Sequence, residues 1–120
     1  MPIAAGRATT RPLVSILIPV YNGAAYLQEA LDSILAQTYR PLEILLLDDA
    51  STDGTAAIAA EYGDRITLVR QPHNLYIYDN INFGIDRARG ELIATYHADD
   101  IYSPTIVAEQ IVCLEAHPGG

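Results

Sequence analysis

Four short apolar runs alternate with segments of helical periodicity, and this alternation constrains the fold of the 120-residue chain more than any other feature. The runs are Val14–Val20, Leu42–Leu47, Ile66–Val69 and Leu92–Tyr96. Apolar runs of this length, bounded by turn residues, are typical of strands buried on both faces of a parallel sheet. The order β-α-β-α-β-α-β-α therefore predicts an α/β fold, with a mostly parallel sheet and helices on both of its faces.

The predicted helices are marked by apolar stripes and by start signals. In the first, Leu27 and Leu31 lie one turn apart on the same face, and the third lies around Asn80–Ala88. Ser103-Pro104 signals the start of the fourth, because a capping residue precedes proline at the first helical position. The first three helices are therefore predicted to connect consecutive strands of the sheet.

Composition excludes several classes of function. Half of the residues are apolar and the net charge is −8, with seven arginines, no lysine and no basic stripe, so nucleic-acid binding is not expected. The single cysteine, Cys113, cannot form an intramolecular disulfide or a cysteine-based zinc site, and we expect it to be a small buried hydrophobe. No stretch approaches the ~20 apolar residues of a membrane span, so a cytoplasmic protein is expected.

Two Asp-Asp pairs follow two of the apolar runs. Asp48-Asp49 comes directly after the second run, and Asp99-Asp100 lies shortly after the fourth. In open α/β sheets the ligand crevice lies outside the carboxyl ends of the strands. The pairs therefore predict a site there for a cation, or for a ligand that donates hydrogen bonds or brings its own cation.

The first pair opens the polar segment Asp48–Thr55, which has two interpretations. Turn formation and helix capping could account for Ser51, Thr52 and Asp53. They account less well for two adjacent aspartates directly after a strand. We therefore favour a binding role for Asp49 and a largely structural role for its neighbour.

The second pair belongs to the segment His97-Ala98-Asp99-Asp100. In an extended chain His97 and Asp99 would project to the same side, with Asp100 as a further oxygen donor. Carboxylate oxygens suit Mg²⁺ or Mn²⁺, which often bind one or two carboxylates together with substrate phosphates. The segment predicts a metal site, whereas His97 could equally be a ligand-binding residue or an ordinary loop residue.

Missing motifs narrow the choice further. The chain has neither a Gly-x-Gly-x-x-Gly loop nor a Gly-x-x-x-x-Gly-Lys-Ser/Thr loop, which disfavours dinucleotide dehydrogenases and P-loop enzymes. Asn22-Gly23-Ala24-Ala25 is not the Gly-rich, basic loop that a sugar-1-phosphate nucleotidyltransferase would carry after its first strand. If phosphate is bound at this site, a metal ion must supply much of the positive charge.

Several spaced motifs resemble those of family 2 glycosyltransferases. The resemblance covers roughly residues 13–116 and rests on Val14–Gly23, Leu47–Thr55, Asn82–Ile85, Ala88–Glu91 and Ala98–Asp100. It implies the GT-A fold, a nucleotide-sugar donor and a Mg²⁺ or Mn²⁺ cofactor. The nucleotide-binding residues that it implies are Pro19, Val20, Tyr21, Asp49, His97 and Ala98, and the metal-binding residues are Asp99 and Asp100.

Two positions depart from the pattern of that family. His97 replaces the first acid of the Asp-x-Asp motif, so a hydrogen-bonding group without negative charge would face the ribose. The family commonly has Asn-x-Gly after the third strand, whereas this chain has Asn74-Leu75-Tyr76. Because Tyr76 replaces a permissive glycine, we expect this loop to follow another path and to alter the donor pocket.

The resemblance also predicts the organisation of the protein. Residues 1–12 are expected to be a flexible leader, and residues 13–120 a nucleotide-sugar-binding domain that lacks the acceptor-binding half. The catalytic base is unknown and is expected beyond Gly120, so this fragment alone should be inactive.

The expected activity is inverting transfer of a sugar, with UDP as the donor nucleotide, to a hydroxyl of a saccharide or lipid-linked acceptor. Cell-surface polysaccharide or glycolipid synthesis, with peripheral attachment at the inner face of the membrane, is the expected setting. The alternative is a non-catalytic α/β nucleotide-binding or assembly module derived from a transferase.

Overall fold

The computed structural model describes residues 11–110. The strands are β1 (Val14–Val20), β2 (Leu42–Asp48), β3 (Thr67–Arg70) and β4 (Leu92–Thr95). The helices between them are α1 (Leu27–Leu35), α2 (Thr55–Ala60) and α3 (Tyr76–Arg87). A 3₁₀ turn covers Gly63–Arg65, and residues 106–110 are helical. Cys113 and most of the predicted leader lie outside the described residues.

The strands form one parallel sheet with the order β3-β2-β1-β4. In its register Val20 pairs with Asp48, and Leu17 pairs with Thr95. Because the chain runs from β1 outward to β3 and then returns to the other side of β1, the strand order reverses at β1. The carboxyl ends of β1, β2 and β4 therefore meet at one edge of the sheet, next to a topological switch point.

The two central strands, β1 and β2, are buried on both faces, as predicted. On one face Ile16 and Ile18 pack with α1, which contributes the buried residues Leu27, Leu31 and Ile34. On the other face a smaller cluster covers Leu17, Leu45 and Leu47, with Ile81 and Ala88 of the α3 region packed against it. The predicted burial on both faces is wrong for the two edge strands of the described sheet. No residue of β3 is buried, and Ile93 of β4 is 43% exposed.

Helix α3 lies close to the sheet because it carries a glycine where the two meet. A Cβ atom added to Gly84 would lie 2.5 Å from Leu47 Cδ1 and 3.3 Å from Leu17 Cδ1. The helix begins at Tyr76, four residues before the predicted range, because its first turn is anchored by a side chain distant in sequence, as described below. Over residues 11–110, none of the helices is both long and apolar enough to cross a bilayer.

A buried carboxylate fastens the amino-terminal end of the sheet. Glu43 Oε1 accepts hydrogen bonds from the Ser15 hydroxyl at 2.7 Å and from the Arg89 backbone N–H at 2.8 Å, and Oε2 accepts one from Arg89 Nε at 2.8 Å. Burial alone would raise the pKa of Glu43, but these hydrogen bonds outweigh it and the pKa lies below its ordinary value. This network is structural, since it lies at the end of the sheet away from the carboxyl edge.

Candidate functional site

A pocket of about 310 Å³ opens at the carboxyl ends of β1 and β2. This volume lies at the lower end of the range for small-molecule sites. The pocket is lined by Pro19, Val20, Tyr21, Asp49, Asn74, Tyr76, Ile77 and Asn80. The first four of these were singled out from the sequence, and the strand register that pairs Val20 with Asp48 brings them together.

Asp49 connects the sheet to the start of α3. Its backbone N–H donates to the Val20 carbonyl at 2.9 Å, and its side chain is almost buried, with the residue 7% exposed. Oδ1 accepts the Leu75 N–H at 2.6 Å and Oδ2 accepts the Tyr76 N–H at 3.0 Å. Each carboxylate oxygen can accept a second hydrogen bond, so Asp49 can position this loop and still accept a donor from a ligand in the pocket.

Asp48 has different surroundings from Asp49, although the two are adjacent. It is the last residue of β2 and is fully buried, and its Oδ1 accepts the Ser51 N–H at 3.1 Å. Oδ2 lies 3.5 Å from Arg70 Nε, in an ion-pair contact, but receives no hydrogen bond from the described residues. Asp48 therefore contacts the loop through Ser51 and the end of β3 through Arg70.

The polar segment after β2 holds the loop that follows β1. The Asn22 N–H donates to Ser51 Oγ at 2.8 Å, and the Gly23 N–H donates to Thr55 Oγ1 at 2.9 Å. Asn22 has a φ of 53°, a left-handed conformation that asparagine tolerates better than most residues. These hydrogen bonds fix the loop that begins at Tyr21, and so they shape one wall of the pocket.

The capping interpretation of this segment is wrong for Ser51 and Thr52. The N-cap of α2 is Gly54, which makes no side-chain cap hydrogen bond. Thr52 instead donates its N–H to Asn22 Oδ1 at 2.8 Å. Asp53 Oδ1 does accept the Thr55 N–H at 2.9 Å in a local turn, and its Oδ2 accepts the Ala24 N–H at 3.2 Å from the loop after β1.

The second acidic segment follows β4 at the same edge of the sheet. His97, Asp99 and Asp100 are exposed, whereas Ala98 is buried. Asp99 accepts no hydrogen bond from residues 11–110, and therefore its carboxylate is available to a ligand. None of the residues of this segment lines the 310 Å³ pocket, so the structure does not join the two acidic clusters into one cavity.

Tyr102 organises this segment and was not anticipated from the sequence. Its hydroxyl accepts the His97 N–H at 2.7 Å and lies 3.4 Å from Asp100 Oδ2, to which it can donate. Its ring stacks on Tyr96 with 4.4 Å between ring centroids. Burial and the nearby Asp100 charge raise the pKa of Tyr102 against the opposing effect of the His97 N–H. No sequence motif marks Tyr102, because its contacts with the Tyr96 ring and the His97 N–H depend on the turn between them.

The donor set of this segment fits a metal ion that is bound together with a ligand. Residues 11–110 contain no group of three or more histidine, cysteine, aspartate or glutamate side chains that could hold an ion by themselves. Asp99 and Asp100 offer two neighbouring exposed carboxylates. Mg²⁺ and Mn²⁺ are often held in this way, by one or two carboxylates, substrate phosphates and water.

Two further residues line the pocket. Asn80 was not anticipated from the sequence, and Tyr76 was expected to alter the donor pocket. Asn80 is 1% exposed, donates through Nδ2 to the Leu47 carbonyl at 2.9 Å and accepts from Gln71 Nε2 at 3.2 Å. A polar residue one turn before Gly84, on the sheet-facing side of a helix, was the available signal. Tyr76 has a φ of 65°, so it adopts a left-handed conformation that glycine reaches without strain, although it carries a bulky side chain.

Comparisons with known proteins identify the family to which the chain belongs. The sequence profile of Glycosyl transferase family 2 matches residues 15–118. An uncharacterized glycosyltransferase of Rickettsia typhi is 46% identical over 106 residues, which cover 88% of this chain and 33% of the relative. Glycosyltransferase GlyG of Streptococcus pneumoniae is 35% identical over 98 residues, which cover 79% of this chain and 33% of GlyG. The chain thus spans about one third of the length of these relatives.

Solved structures give the same result for the fold. The mannosyltransferase PcManGT from Pyrobaculum calidifontis, in complex with GDP-Man and Mn²⁺, matches with a TM-score of 0.84 at 30% identity, over 92% of this chain and 34% of that protein. S. aureus TarS in complex with UDP matches with a TM-score of 0.79 at 24% identity, over 87% of this chain and 32% of that protein. The predicted α/β fold class is confirmed, and the chain belongs to glycosyl transferase family 2, with a parallel sheet of the GT-A type.

Proposed function

We propose that this chain is the donor-binding part of an inverting glycosyltransferase that takes its sugar from a UDP-linked donor. The observation that carries the proposal is the pocket at the carboxyl edge of the sheet, where Tyr21 and Asp49 converge from the ends of two adjacent strands. Family membership supports sugar transfer as the general activity.

The pocket offers what a uracil base requires. Tyr21 is 49% exposed and presents an aromatic ring on which a base can stack. Asp49 retains acceptor capacity beyond its two backbone hydrogen bonds, and the imide N–H of uracil is a suitable donor. Pro19 and Val20 complete the apolar wall against which the base and ribose would lie.

The diphosphate would extend toward the second acidic segment. We assign Asp99 as the principal ligand of Mg²⁺ or Mn²⁺, with Asp100 assisting, and His97 and Ala98 as ribose contacts. When bound, the ion neutralises charge on the diphosphate leaving group. The Mn²⁺ and GDP-Man in PcManGT support the use of a divalent ion, although that protein carries another donor nucleotide.

In the proposed reaction an acceptor hydroxyl attacks the anomeric carbon of the donor sugar from the side opposite the diphosphate. A new C–O bond forms as the bond to the diphosphate breaks, and the configuration at that carbon inverts. A carboxylate base takes the proton of the hydroxyl, and its identity stays unassigned. The proposed acceptor is a saccharide or a lipid-linked molecule. The proposed setting is the synthesis of cell-surface polysaccharide or glycolipid at the inner face of the membrane.

Titration calorimetry with UDP, with and without Mn²⁺, tests the donor site. The 120-residue chain should bind UDP more tightly with Mn²⁺ than without it, and Asp99→Asn should abolish that difference. Asp86→Asn is the matched control, because it removes an exposed carboxylate of α3 that does not line the pocket. ADP should bind more weakly than UDP, since adenine lacks an imide N–H.

The alternative, a non-catalytic module derived from a transferase, predicts a different outcome. A folded chain that binds no UDP in the presence of Mn²⁺ would contradict the donor-binding assignment. Binding that Asp99→Asn and Asp86→Asn leave equally unchanged would contradict the metal assignment.

A further inference from the structure

Tyr76 combines a strained backbone with an exposed side chain. Its φ of 65° lies in a region that a bulky L-residue avoids. Its residue surface is nevertheless 75% exposed, so the ring makes few contacts with the rest of the described chain. The fold therefore gains little from a tyrosine at this position, where glycine would remove the strain.

The backbone at this position is held by a carboxylate that lines the pocket. Asp49 accepts the N–H groups of Leu75 and Tyr76, and this fixes the turn that leads into α3. Tyr76 also lines the pocket that contains Tyr21 and Asp49. An unfavourable backbone conformation that carries an exposed aromatic ring beside a ligand pocket points to a role in binding.

We propose that Tyr76 is a binding residue that stacks on the nucleobase of the donor, as a second aromatic contact beside Tyr21. The inference rests on the proposed donor-binding function of the same pocket. Stacking accepts any base with a π face, so Tyr76 strengthens binding while Asp49 selects for a ring N–H donor. A contribution to ligand binding thus explains why the chain has a tyrosine at a position where its backbone is strained.

Calorimetry with UDP and Mn²⁺ on three variants of the 120-residue chain tests this role. Tyr76→Gly should weaken UDP binding about tenfold, within the range of base–aromatic stacking. Tyr76→Phe keeps the ring and should bind within about twofold of the native chain. Tyr78→Ala is the matched control, because Tyr78 is 80% exposed on the same helix but does not line the pocket, and it should bind as the native chain does.

Urea unfolding of the same variants separates binding from folding. Tyr76→Gly should unfold at the same or a higher urea concentration than the native chain, because glycine relieves the left-handed strain. Weaker UDP binding by a variant that is at least as stable cannot come from misfolding. Native affinity in Tyr76→Gly, or an equal loss in Tyr78→Ala, would overturn the stacking role and leave the donor site intact. Absence of UDP binding by the native chain would instead overturn the proposed function itself.

Discussion

Replacement of Asp49 by asparagine should destabilise the fold even when no nucleotide is present. The carboxylate accepts one backbone N–H with each oxygen, at 2.6 Å from Leu75 and at 3.0 Å from Tyr76. Asparagine keeps one acceptor oxygen but directs an NH₂ group toward the other N–H. One charge-assisted hydrogen bond is lost, and such bonds contribute about 1.5–3 kcal/mol each.

We therefore expect Asp49→Asn to lower the free energy of unfolding by about 2 kcal/mol. Solvent should weaken this effect little, because Asp49 is only 7% exposed. For a domain of this size the loss corresponds to a decrease of about 8 °C in Tm, at roughly 4 °C per kcal/mol.

Circular dichroism during urea and thermal unfolding would measure this change, with Asp86→Asn as the control. The control removes an exposed carboxylate from the end of α3 and should stay within about 0.5 kcal/mol of the native chain. If Asp49→Asn unfolds at the native midpoint, the carboxylate does not anchor the loop, and Asp49 would be a ligand residue alone.

Three further substitutions test the fold that supports the site. Glu43→Gln should lower the free energy of unfolding by about 2 kcal/mol at pH 7. The pKa of Glu43 is lower in the folded chain than in the unfolded chain. The difference in free energy of unfolding between the native chain and Glu43→Gln is therefore fully present above the unfolded pKa of about 4.3, and it should shrink as the pH falls through the folded-state pKa. Urea titrations from pH 7 to pH 3 would measure this difference. Tyr62→Phe should cost about 1 kcal/mol, since it removes a 2.7 Å hydrogen bond to exposed Asp32. Burial and that bond raise the pKa of Tyr62 to about 12, so its contribution should persist below pH 10 and disappear between pH 10 and pH 12 in alkaline urea titrations. Gly84→Ala should cost about 1 kcal/mol in urea unfolding, because crowding 2.5 Å from Leu47 Cδ1 outweighs the ~1 kcal/mol gained in helix propensity.

Each of these has a result that would count against it. A pH-independent difference for Glu43→Gln would show that its carboxylate is not held in the charged form. An unchanged alkaline unfolding profile in Tyr62→Phe would exclude Tyr62 as the titrating group. A stability gain in Gly84→Ala would mean that α3 can move away from the sheet at no cost.

The strands and the sheet could be predicted because their signal is local. Val14–Val20 is apolar enough to specify a strand buried on both faces, and its observed bounds match the prediction. The start of α3 could not be found in this way. Its first-turn donors are satisfied by Asp49, which lies 26 residues before Leu75 in the chain, so nothing near Tyr76 marks the boundary.

Some residues of the candidate site could likewise be predicted from the sequence, and others could not. Asp49 and Asp99 stand out because charged residues at the ends of apolar runs need an explanation. Tyr102 does not stand out, since its role depends on the stacking of Tyr96 and on a turn that returns it to the His97 N–H. Similarly, the conformation of Tyr76 follows from a long-range hydrogen bond, which a comparison of residue types does not reveal.

A crystal structure of this chain with UDP and Mn²⁺ would test the central claim most directly. Our account predicts the uracil ring in the pocket beside Tyr21 and Tyr76, its imide N–H within hydrogen-bond distance of Asp49, and the ion between the diphosphate and Asp99. Uracil bound outside this pocket, or an ion held away from Asp99, would contradict it.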